Sequence, residues 1–245
     1  EGGVVKTGSQ QLIPKKIHYC WFSGNPIPQK LQKCMDSWKQ FCPDYEIIRW
    51  DESNYDIHRS PYMEQAYAQK KWCYVSDYAR LDILHQHGGI YLDTDVELIR
   101  NLDELLYQPA FCSMEKWGTI NTGGGCGAQA GNPVVWVMLD FRAHFSFLQG
   151  DGITNQMTCG YYETLPLIQA GLRPDSTTQI IANGEMTVYS PDFFLPFDYV
   201  SGKTNFTKNT FSIHHYSGTW LGAGAAEERR KTQEYYQSFI AKLQV

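Results

Sequence analysis

The chain has 245 residues, a net charge of −5 and a sequence pI near 5.8. An acidic chain of this kind presents no general basic field, so its composition argues against a nucleic-acid partner. It contains no run of eighteen apolar residues, which excludes a membrane-spanning helix, and its polar residues 1–11 do not resemble a secretory signal. The 16 tyrosines and 7 tryptophans are a surplus that suits a sugar or base pocket, and extra core mass explains it equally well.

The cysteines and the first residues set the expected organisation of the chain. Seven cysteines, an odd number without a C-x-x-C pair, argue against a zinc ribbon or a closed disulfide framework. A reducing, cytoplasmic setting is the simplest account of this usage. We expect residues 1–12 to form a flexible N-terminal tail and residues 13–245 to form a single domain.

A strand, a helix and a second strand are predicted at the start of the domain. Residues 16–22 are β-prone, residues 28–43 carry apolar side chains at helical spacing, and residues 46–50 are again β-prone. This order favours a parallel, right-handed crossover, with binding loops at the carboxyl ends of the strands. Trp21 and Asp51 are therefore expected at the same edge of the sheet.

Residues 76–95 contain the most informative pattern of the chain. A predicted helix over residues 76–87 stops at Gly88-Gly89, and a short apolar strand over residues 90–92 leads directly to Asp93 and Asp95. Two acids this close repel each other unless they are solvated or share a hard cation. The pattern therefore predicts carboxylates at a strand end that could hold a divalent ion.

Two further features point to a ligand at this edge. Asp77 and Arg80 are three residues apart, so they share one face of the predicted helix and can reach the same ligand. A surface ion pair is the alternative interpretation. Trp21 could stack on a nucleobase, and burial in the core is its alternative.

The middle of the chain is predicted to alternate strands and loops before a helix. Strands are expected over residues 96–99 and 110–114, and the glycine-rich residues 123–127 are expected to form a mobile or closely approached loop. Asn132 and Pro133 are typical of a helix cap and first turn. The side chains that this helix should turn inward are Val134, Val137, Met138, Phe141 and Phe145.

The last third of the chain is predicted to end in a helix. Residues 160–170 are expected to be helical, residues 187–197 strand-like, and residues 211–216 a late strand that carries His214 and His215. Residues 225–243 read as a charged helix with one apolar face, which should pack on the domain rather than on a membrane. That face comprises Tyr236, Phe239, Ile240 and Leu243.

The motifs together resemble a known family. They are IHYCWFSG at residues 17–24, Ser76-Asp77-x-x-Arg80, GGIYLDTD at residues 88–95, and Ile213-His214-His215 followed by Trp220. In this order they resemble glycosyltransferase family 32, retaining enzymes with a DxD-containing sugar-binding region. That family is similar to the catalytic core of the clostridial glucosylating toxins and to yeast α-1,6-mannosyltransferases.

The resemblance implies a fold and a division of the domain. The implied fold is α/β of GT-A type, with a Rossmann-like, mostly parallel sheet flanked by helices and an elaborated C-terminal half. The nucleotide-binding part would span residues 13–100, and the part that binds the acceptor and closes the site would span residues 101–245.

The resemblance also implies roles for individual residues, with Mn²⁺ or Mg²⁺ and a nucleotide sugar as cofactor and donor. The implied catalytic residues are Asp95, Asp93 and Arg80; the donor-binding residues are Trp21, Asp77, Arg80, Asp93 and Trp220; and the metal ligands are Asp95, Asp93 and one of His214 and His215. The two histidines alternate along a strand, so at most one can face the metal. Asn121 is a further candidate for contact with the donor sugar.

The expected activity is metal-dependent, retaining transfer of a hexose or N-acetylhexosamine from a UDP-sugar or another nucleotide sugar to a glycan hydroxyl. The resemblance places it in bacterial capsule, O-antigen or exopolysaccharide synthesis, on a glycan or lipid-linked oligosaccharide at the inner face of the membrane. A non-catalytic carbohydrate- or nucleotide-binding module is one alternative. A haloacid-dehalogenase-type phosphatase is another, but it normally has Thr or Val where this chain has Glu97.

Overall fold

The structure is a computed structural model that describes residues 3–148, 159–217 and 225–243. Its strands are β1 (Lys16–Cys20), β2 (Glu46–Trp50), β3 (Gly89–Tyr91), β4 (Val96–Leu98), β5 (Ala110–Met114), β6 (Ile120–Asn121), β7 (Cys126–Ala128), β8 (Gln179–Ile181), β9 (Met186–Tyr189) and β10 (Ser212–His214). Its helices are α1 (Gln29–Phe41), α2 (Pro61–Ala68), α3 (Trp72–His87), α4 (Pro133–Ala143), α5 (Cys159–Gln169) and α6 (Ala225–Leu243).

The main sheet contains eight strands in the order β2-β1-β3-β7-β5-β9-β8, with β6 paired to β5. β1 pairs in parallel with β2 and β3, and β5 pairs in parallel with β9, while β7 runs antiparallel between β3 and β5. Strands β2, β1, β3, β5 and β9 therefore point the same way. This architecture confirms the predicted α/β fold with a mostly parallel, Rossmann-like sheet, as in the GT-A fold.

Hydrophobic clusters cover both faces of the sheet. Successive residues of β1 point to opposite faces, so Ile17 and Tyr19 belong to one cluster and Cys20 belongs to the other. The Cys20 side is covered by α2, α3 and α4, and the opposite side is covered by α1 and by Tyr236 of α6. Helices on both faces leave the carboxyl ends of β1 and β3 as an open edge.

A second, two-stranded sheet links the acids to the end of the chain. β4 follows the acid pair directly, and β10 pairs with it antiparallel, so that His214 lies opposite Val96. This pairing places a residue from the C-terminal half beside a loop of the N-terminal half.

The turn between α3 and β3 depends on two glycines, as the sequence predicted. Gly88 and Gly89 have φ angles of +66° and +119°, a region that residues with a Cβ rarely adopt. A Cβ on Gly89 would lie 2.9 Å from Nε2 of His18. The buried His18 holds the turn, because its Nε2 lies 2.8 Å from the carbonyl oxygen of Gly88 and Trp50 Nε1 donates to its Nδ1 at 3.0 Å.

Residues 3–12 make hydrogen bonds to the domain: the backbone N–H of Val5 donates to Tyr189 Oη at 3.0 Å and that of Leu12 donates to the Leu106 carbonyl at 2.8 Å. One sequence-based expectation is corrected by the structure. The glycine-rich run is a closely approached loop only as far as Gly125, since its last residues enter the central strand β7.

Helix α4 begins as predicted and buries Val134 and Met138 as expected, but the rest of its expected inward face differs. Asn132 caps it by accepting from the backbone N–H groups of Val134 and Val135 at 2.9 and 3.1 Å. Val137 is 44% exposed, contrary to the expectation, while Arg142 is buried at 1% exposure. The apolar face of α6 does pack on the domain, with Tyr236 and Ile240 buried.

Within the described ranges, none of the helices combines the length and the apolar character that crossing a membrane would require.

The buried His18 predicts acid-sensitive stability. Burial lowers the pKa of His18 to about 4, whereas an unfolded histidine titrates near 6.5. The unfolded chain therefore binds the extra proton first, and stability present above pH 6.5 is lost as the pH falls toward 4. We expect the wild type to lose about 3 kcal/mol more than His18→Asn between pH 7 and pH 4, as measured by urea unfolding. His58→Asn, which changes an exposed histidine, should keep the wild-type slope.

Candidate active site

A cavity of about 420 Å³ opens at the carboxyl ends of β1 and β3. It gathers most of the predicted site residues, although their roles remain predictions. Trp21 enters from the end of β1, and Asn121 enters from β6. The other predicted residues that line it are Asp77, Arg80, Asp93, Asp95 and His214. Trp220 lies outside the described residues.

Asp93, Asp95 and His214 form a cluster suited to a cation. One ligand atom from each lies within 4.8 Å of the others, and no other set of acids, histidines or cysteines does so in the part of the chain that the structure describes. His214 Nε2 lies 3.1 Å from Asp95 Oδ1 and 3.8 Å from Asp93 Oδ2. Two carboxylates and an imidazole are a reasonable donor set for Mn²⁺, so these residues fit a divalent ion.

The strand geometry distinguishes the two histidines that the sequence left open. His214 points toward the acids, whereas His215 lies on the opposite side, with its Nε2 3.0 Å from Glu97 Oε1. His215 contacts Asp95 only through its backbone N–H, which donates to the Asp95 carbonyl at 3.1 Å. The structure therefore places His214 in the cluster and leaves the His215 side chain out of it.

Asp95 is held as an anion. Its Oδ2 accepts from the backbone N–H of Ser217 at 2.9 Å and from the Ser217 hydroxyl at 3.3 Å. Burial alone would raise the pKa of Asp95, but the charge and hydrogen bond of His214, with the Ser217 N–H, hold it well below its usual range. For His214, burial would lower the pKa, and the Asp95 carboxylate raises it. The two side chains thus form an ion pair.

Asp93 is oriented from the other side of the cavity. Its Oδ1 accepts from Arg80 Nη2 at 3.0 Å and from the Tyr91 hydroxyl at 3.0 Å. The guanidinium carbon of Arg80 also lies 4.9 Å from the centre of the Tyr91 ring. These contacts leave Oδ2 of Asp93 directed toward His214.

Arg80 and Asp77 share a helix face, as predicted, but they are not a surface pair. Their side chains are 4% and 9% exposed, and Arg80 Nη2 lies 3.4 Å from Asp77 Oδ1. Arg80 Nη1 also donates to Thr122 Oγ1 at 3.1 Å. Arg80 therefore contacts Asp77, Asp93 and Thr122, which lies in the loop between β6 and β7.

Two buried residues behind the cavity escaped the sequence-based reasoning. Arg142 of α4 donates from Nη2 to Asp77 Oδ2 at 3.1 Å. Glu163 of α5 accepts from the Thr122 hydroxyl at 2.6 Å, and burial raises its pKa to about 7. The signal for Arg142 was available, because it follows Val135 and Met138 at helical spacing on a face that is otherwise apolar.

The glycine run provides space for the acid rather than a phosphate loop. The backbone N–H of Asp93 donates to the Gly123 carbonyl at 2.9 Å. A Cβ on Gly123 would lie 2.1 Å from Asp93 Oδ2, which is a severe overlap. The backbone passes this close to the carboxylate only because residue 123 has no side chain.

Asn121 separates this cavity from a second one. Its Nδ2 donates to Glu115 Oε1 at 2.7 Å and lies 3.4 Å from His214 Nδ1. The Tyr216 hydroxyl lies 2.9 Å from both carboxylate oxygens of Glu115. Glu115 in turn lines an adjoining cavity of about 470 Å³, bounded mainly by residues 191–205. One pair of side chains therefore forms a wall between the two cavities.

A family model matches part of the chain. Residues 28–112 match the glycosyltransferase sugar-binding region containing a DXD motif. The match includes Asp77, Arg80, Asp93 and Asp95, but not Trp21 or His214.

Curated relatives match the chain over similar lengths. Inositol phosphoceramide mannosyltransferase 3 of Schizosaccharomyces pombe is 39% identical over 111 residues, covering 44% of this chain and 31% of the relative. Mannosyl phosphorylinositol ceramide synthase SUR1 of Saccharomyces cerevisiae is 37% identical over 109 residues, covering 41% and 27%. The matched segments thus span less than a third of the length of these yeast proteins. Together with the family model, they confirm the predicted resemblance to family 32.

Solved glycosyltransferases show a looser likeness. The PaToxG glycosyltransferase has a TM-score of 0.48 and 19% identity, covering 64% of this chain and 69% of that chain. The galactosyltransferase LgtC has a TM-score of 0.45 and 14% identity, covering 91% and 95%.

Gly123→Ala tests whether the acid cluster depends on this glycine. The added methyl group overlaps Asp93 Oδ2, so the carboxylate must turn away from His214 and the cluster must open. We expect the affinity for Mn²⁺ to fall about 10- to 100-fold by titration calorimetry. Gly8→Ala, where a Cβ meets nothing within 4 Å, should bind Mn²⁺ as the wild type does. Equal affinities for the two variants would contradict this role of Gly123.

Proposed function

We propose that this chain, whose residues 28–112 match the glycosyltransferase sugar-binding region containing a DXD motif, is a metal-dependent retaining glycosyltransferase. It transfers a hexose or N-acetylhexosamine from a nucleotide sugar, with a UDP-sugar as the expected donor, to a hydroxyl of a glycan. The observation that carries the proposal is the Asp93–Asp95–His214 cluster beside Arg80 in one cavity.

Each side chain of the cavity has a proposed part in donor binding. Trp21 stacks on the base, since its ring lines the cavity while its Nε1 is fixed by donating to the Asn25 carbonyl at 2.7 Å. Asp77 and Arg80 bind the ribose and sugar hydroxyls. Asp93, Asp95 and His214 would hold Mn²⁺ or Mg²⁺ once the imidazole gives up the proton that pairs it with Asp95, and the ion would supply positive charge next to the departing nucleoside diphosphate.

The state of the carboxylates supports retention without a protein nucleophile. Asp77 is bound by Arg142, Asp93 by Arg80 and Tyr91, and Asp95 by His214 and Ser217. A carboxylate engaged in this way is a weak nucleophile, because attack would break its ion pair. The acceptor hydroxyl is therefore proposed to attack on the face from which the diphosphate departs: its oxygen bonds to the anomeric carbon, the bond from that carbon to the diphosphate oxygen breaks, and the hydroxyl proton passes to the departing diphosphate.

The yeast relatives favour a second candidate for the substrates. Their names describe mannosyl transfer to inositol phosphoceramides, so a mannose-bearing nucleotide donor and a lipid with a polyol-phosphate headgroup form the alternative to bacterial surface polysaccharide. Either acceptor agrees with a cytoplasmic protein in peripheral contact with a membrane, which we propose as its location.

The adjoining cavity is the proposed place for the acceptor. A transferase needs room for two substrates, and Asn121 of the first cavity is hydrogen-bonded to Glu115 of this one. Its rim is polar and includes the exposed Lys203 and Asn205, while Trp117 contributes an aromatic wall. Polar groups around an aromatic surface are typical of sites that bind sugar-like polyols.

Asp95→Asn tests the proposed chemistry. The amide keeps the shape of the side chain but removes the negative charge that attracts the cation, so Mn²⁺-dependent release of the nucleoside diphosphate should fall at least about 100-fold. The assay uses UDP-glucose, UDP-galactose, UDP-N-acetylglucosamine and GDP-mannose with a glycan panel. Asp44→Asn, which changes an exposed acid paired with Lys15, is the control and should keep full turnover.

Two further measurements on the wild type separate the competing functions. A binding module would bind a nucleotide sugar without any turnover in the wild type, and a phosphatase would release inorganic phosphate from p-nitrophenyl phosphate. Near-normal transfer by Asp95→Asn would contradict the assignment of this acid.

The acceptor site has its own test in Lys203→Ala and Asn205→Ala. Each change removes a polar group from the rim of the second cavity, so the KM for the acceptor should rise about three- to tenfold. Hydrolysis of the donor without acceptor should keep its KM, because these residues do not line the first cavity. Lys208→Ala lies outside both cavities and is the matched control. An unchanged acceptor KM would place the acceptor elsewhere.

A further inference from the structure

A buried row of alternating charges runs from α4 to the cavity. Arg142 Nη2 lies 3.1 Å from Asp77 Oδ2, Asp77 Oδ1 lies 3.4 Å from Arg80 Nη2, and Arg80 Nη2 lies 3.0 Å from Asp93 Oδ1. Three of the four residues line the cavity, and Arg142 does not. The row therefore begins at a residue that a ligand in the cavity does not touch.

Arg142 is fixed more firmly than an ordinary ion-pair partner. Its side chain is 1% exposed, and its guanidinium carbon lies 4.5 Å from the centre of the Tyr162 ring and 5.0 Å from that of Tyr62. The same Nη2 that reaches Asp77 also donates to the Tyr62 hydroxyl at 3.2 Å. A planar cation packed against two aromatic rings has little freedom to turn, so it presents its donor to Asp77 in one orientation.

We infer that Arg142 is a positioning residue for the donor, acting through Asp77. This inference rests on the proposed function, because it assumes that Asp77 binds the nucleotide sugar. Arg142 holds Oδ2 of Asp77, which turns Oδ1 toward Arg80 and the cavity. Without the Arg142 guanidinium, the buried carboxylate would lose the contact that fixes its orientation and could rotate about its remaining contact with Arg80.

An ion pair that also uses a buried acid of α3 provides a control, with its arginine, Arg59, 45% exposed. Arg59 Nε donates to Asp82 Oδ2 at 2.7 Å, and the Tyr55 hydroxyl donates to the same oxygen at 2.6 Å. This pair also combines an arginine, a buried acid of α3 and a tyrosine, but none of its members lines the cavity. Loss of Arg59 tests what a broken ion pair on α3 does to activity by destabilisation alone.

The test is a double-mutant cycle between Arg142→Met and Asp77→Asn. Hydrolysis is measured with whichever of UDP-glucose, UDP-galactose, UDP-N-acetylglucosamine and GDP-mannose the wild type hydrolyses fastest in Mn²⁺. We expect Arg142→Met to lower kcat/KM about 10- to 100-fold, with Arg142→Lys intermediate. In the Asp77→Asn background the same change should cost less than about twofold, because its route of action is already lost. Arg59→Met should retain wild-type kcat/KM.

Each outcome decides the inference. If Arg142→Met lowers kcat/KM by the same factor in the wild type and in Asp77→Asn, its role is purely structural and the inference is overturned. The same holds if Arg59→Met lowers kcat/KM as much as Arg142→Met does. If Arg142→Met does not fold, Tyr62→Phe replaces it, since that change removes one hydrogen bond from the guanidinium but leaves the Arg142–Asp77 pair in place. Tyr62→Phe should lower kcat/KM by less than Arg142→Met, and this decrease must disappear in the Asp77→Asn background. A wild type that hydrolyses none of the four donors and binds no UDP would refute the proposed function itself, which is a different result.

Discussion

Two carboxylates that share one cavity require positive charge on both sides, and the structure supplies it from two distant parts of the chain. Arg80 of α3 compensates Asp93, and His214 of β10 compensates Asp95. Both cations depend on the tertiary fold. The glycine turn into β3 positions α3, which carries Arg80, and pairing with β4 positions β10, which carries His214. Repulsion between the acids therefore couples the two halves of the domain.

Placing Arg80 in a buried position creates a second requirement. A buried guanidinium must have acceptors for its donors, and Arg80 finds them in Asp77, Asp93 and Thr122. Those acceptors then need partners of their own, which α4 and α5 provide as Arg142 and Glu163. Buried ion pairs contribute little net stability, since desolvation offsets the attraction. The network is better understood as fixing the position of Arg80 relative to the acids.

The sequence predicted those features that depend on neighbouring residues. The bounds of β2 and α6, the Asn132 cap and the shared face of Asp77 and Arg80 all follow from local spacing, and the structure has them. Features set by distant contacts could not be read in this way. The glycine run was predicted to be a mobile or closely approached loop, but the sequence could not show what approaches Gly123, because the carboxylate that crowds it is thirty residues earlier in the chain. Val137 was wrongly expected to face inward, and Arg142 was not considered for that face.

The choice between the histidines shows the same limit in its sharpest form. A strand alternates its side chains, so the sequence predicted that one histidine faces the acids and the other does not. Alternation shows that the two side chains lie on opposite faces of the strand, but not which of them faces the acids. That choice is set by the pairing of His214 with Val96, which is a contact between residues more than a hundred positions apart.

The orientation of each acid completes the argument for a preorganised site. One oxygen of Asp93 is held by Arg80 and Tyr91, and one oxygen of Asp95 is held by Ser217. The remaining oxygens are Asp93 Oδ2 and Asp95 Oδ1, and both face His214 Nε2, at 3.8 and 3.1 Å. Folding has therefore already selected which atom each residue offers. A cation that binds there need not order the side chains, so less of its binding free energy is spent on conformational entropy.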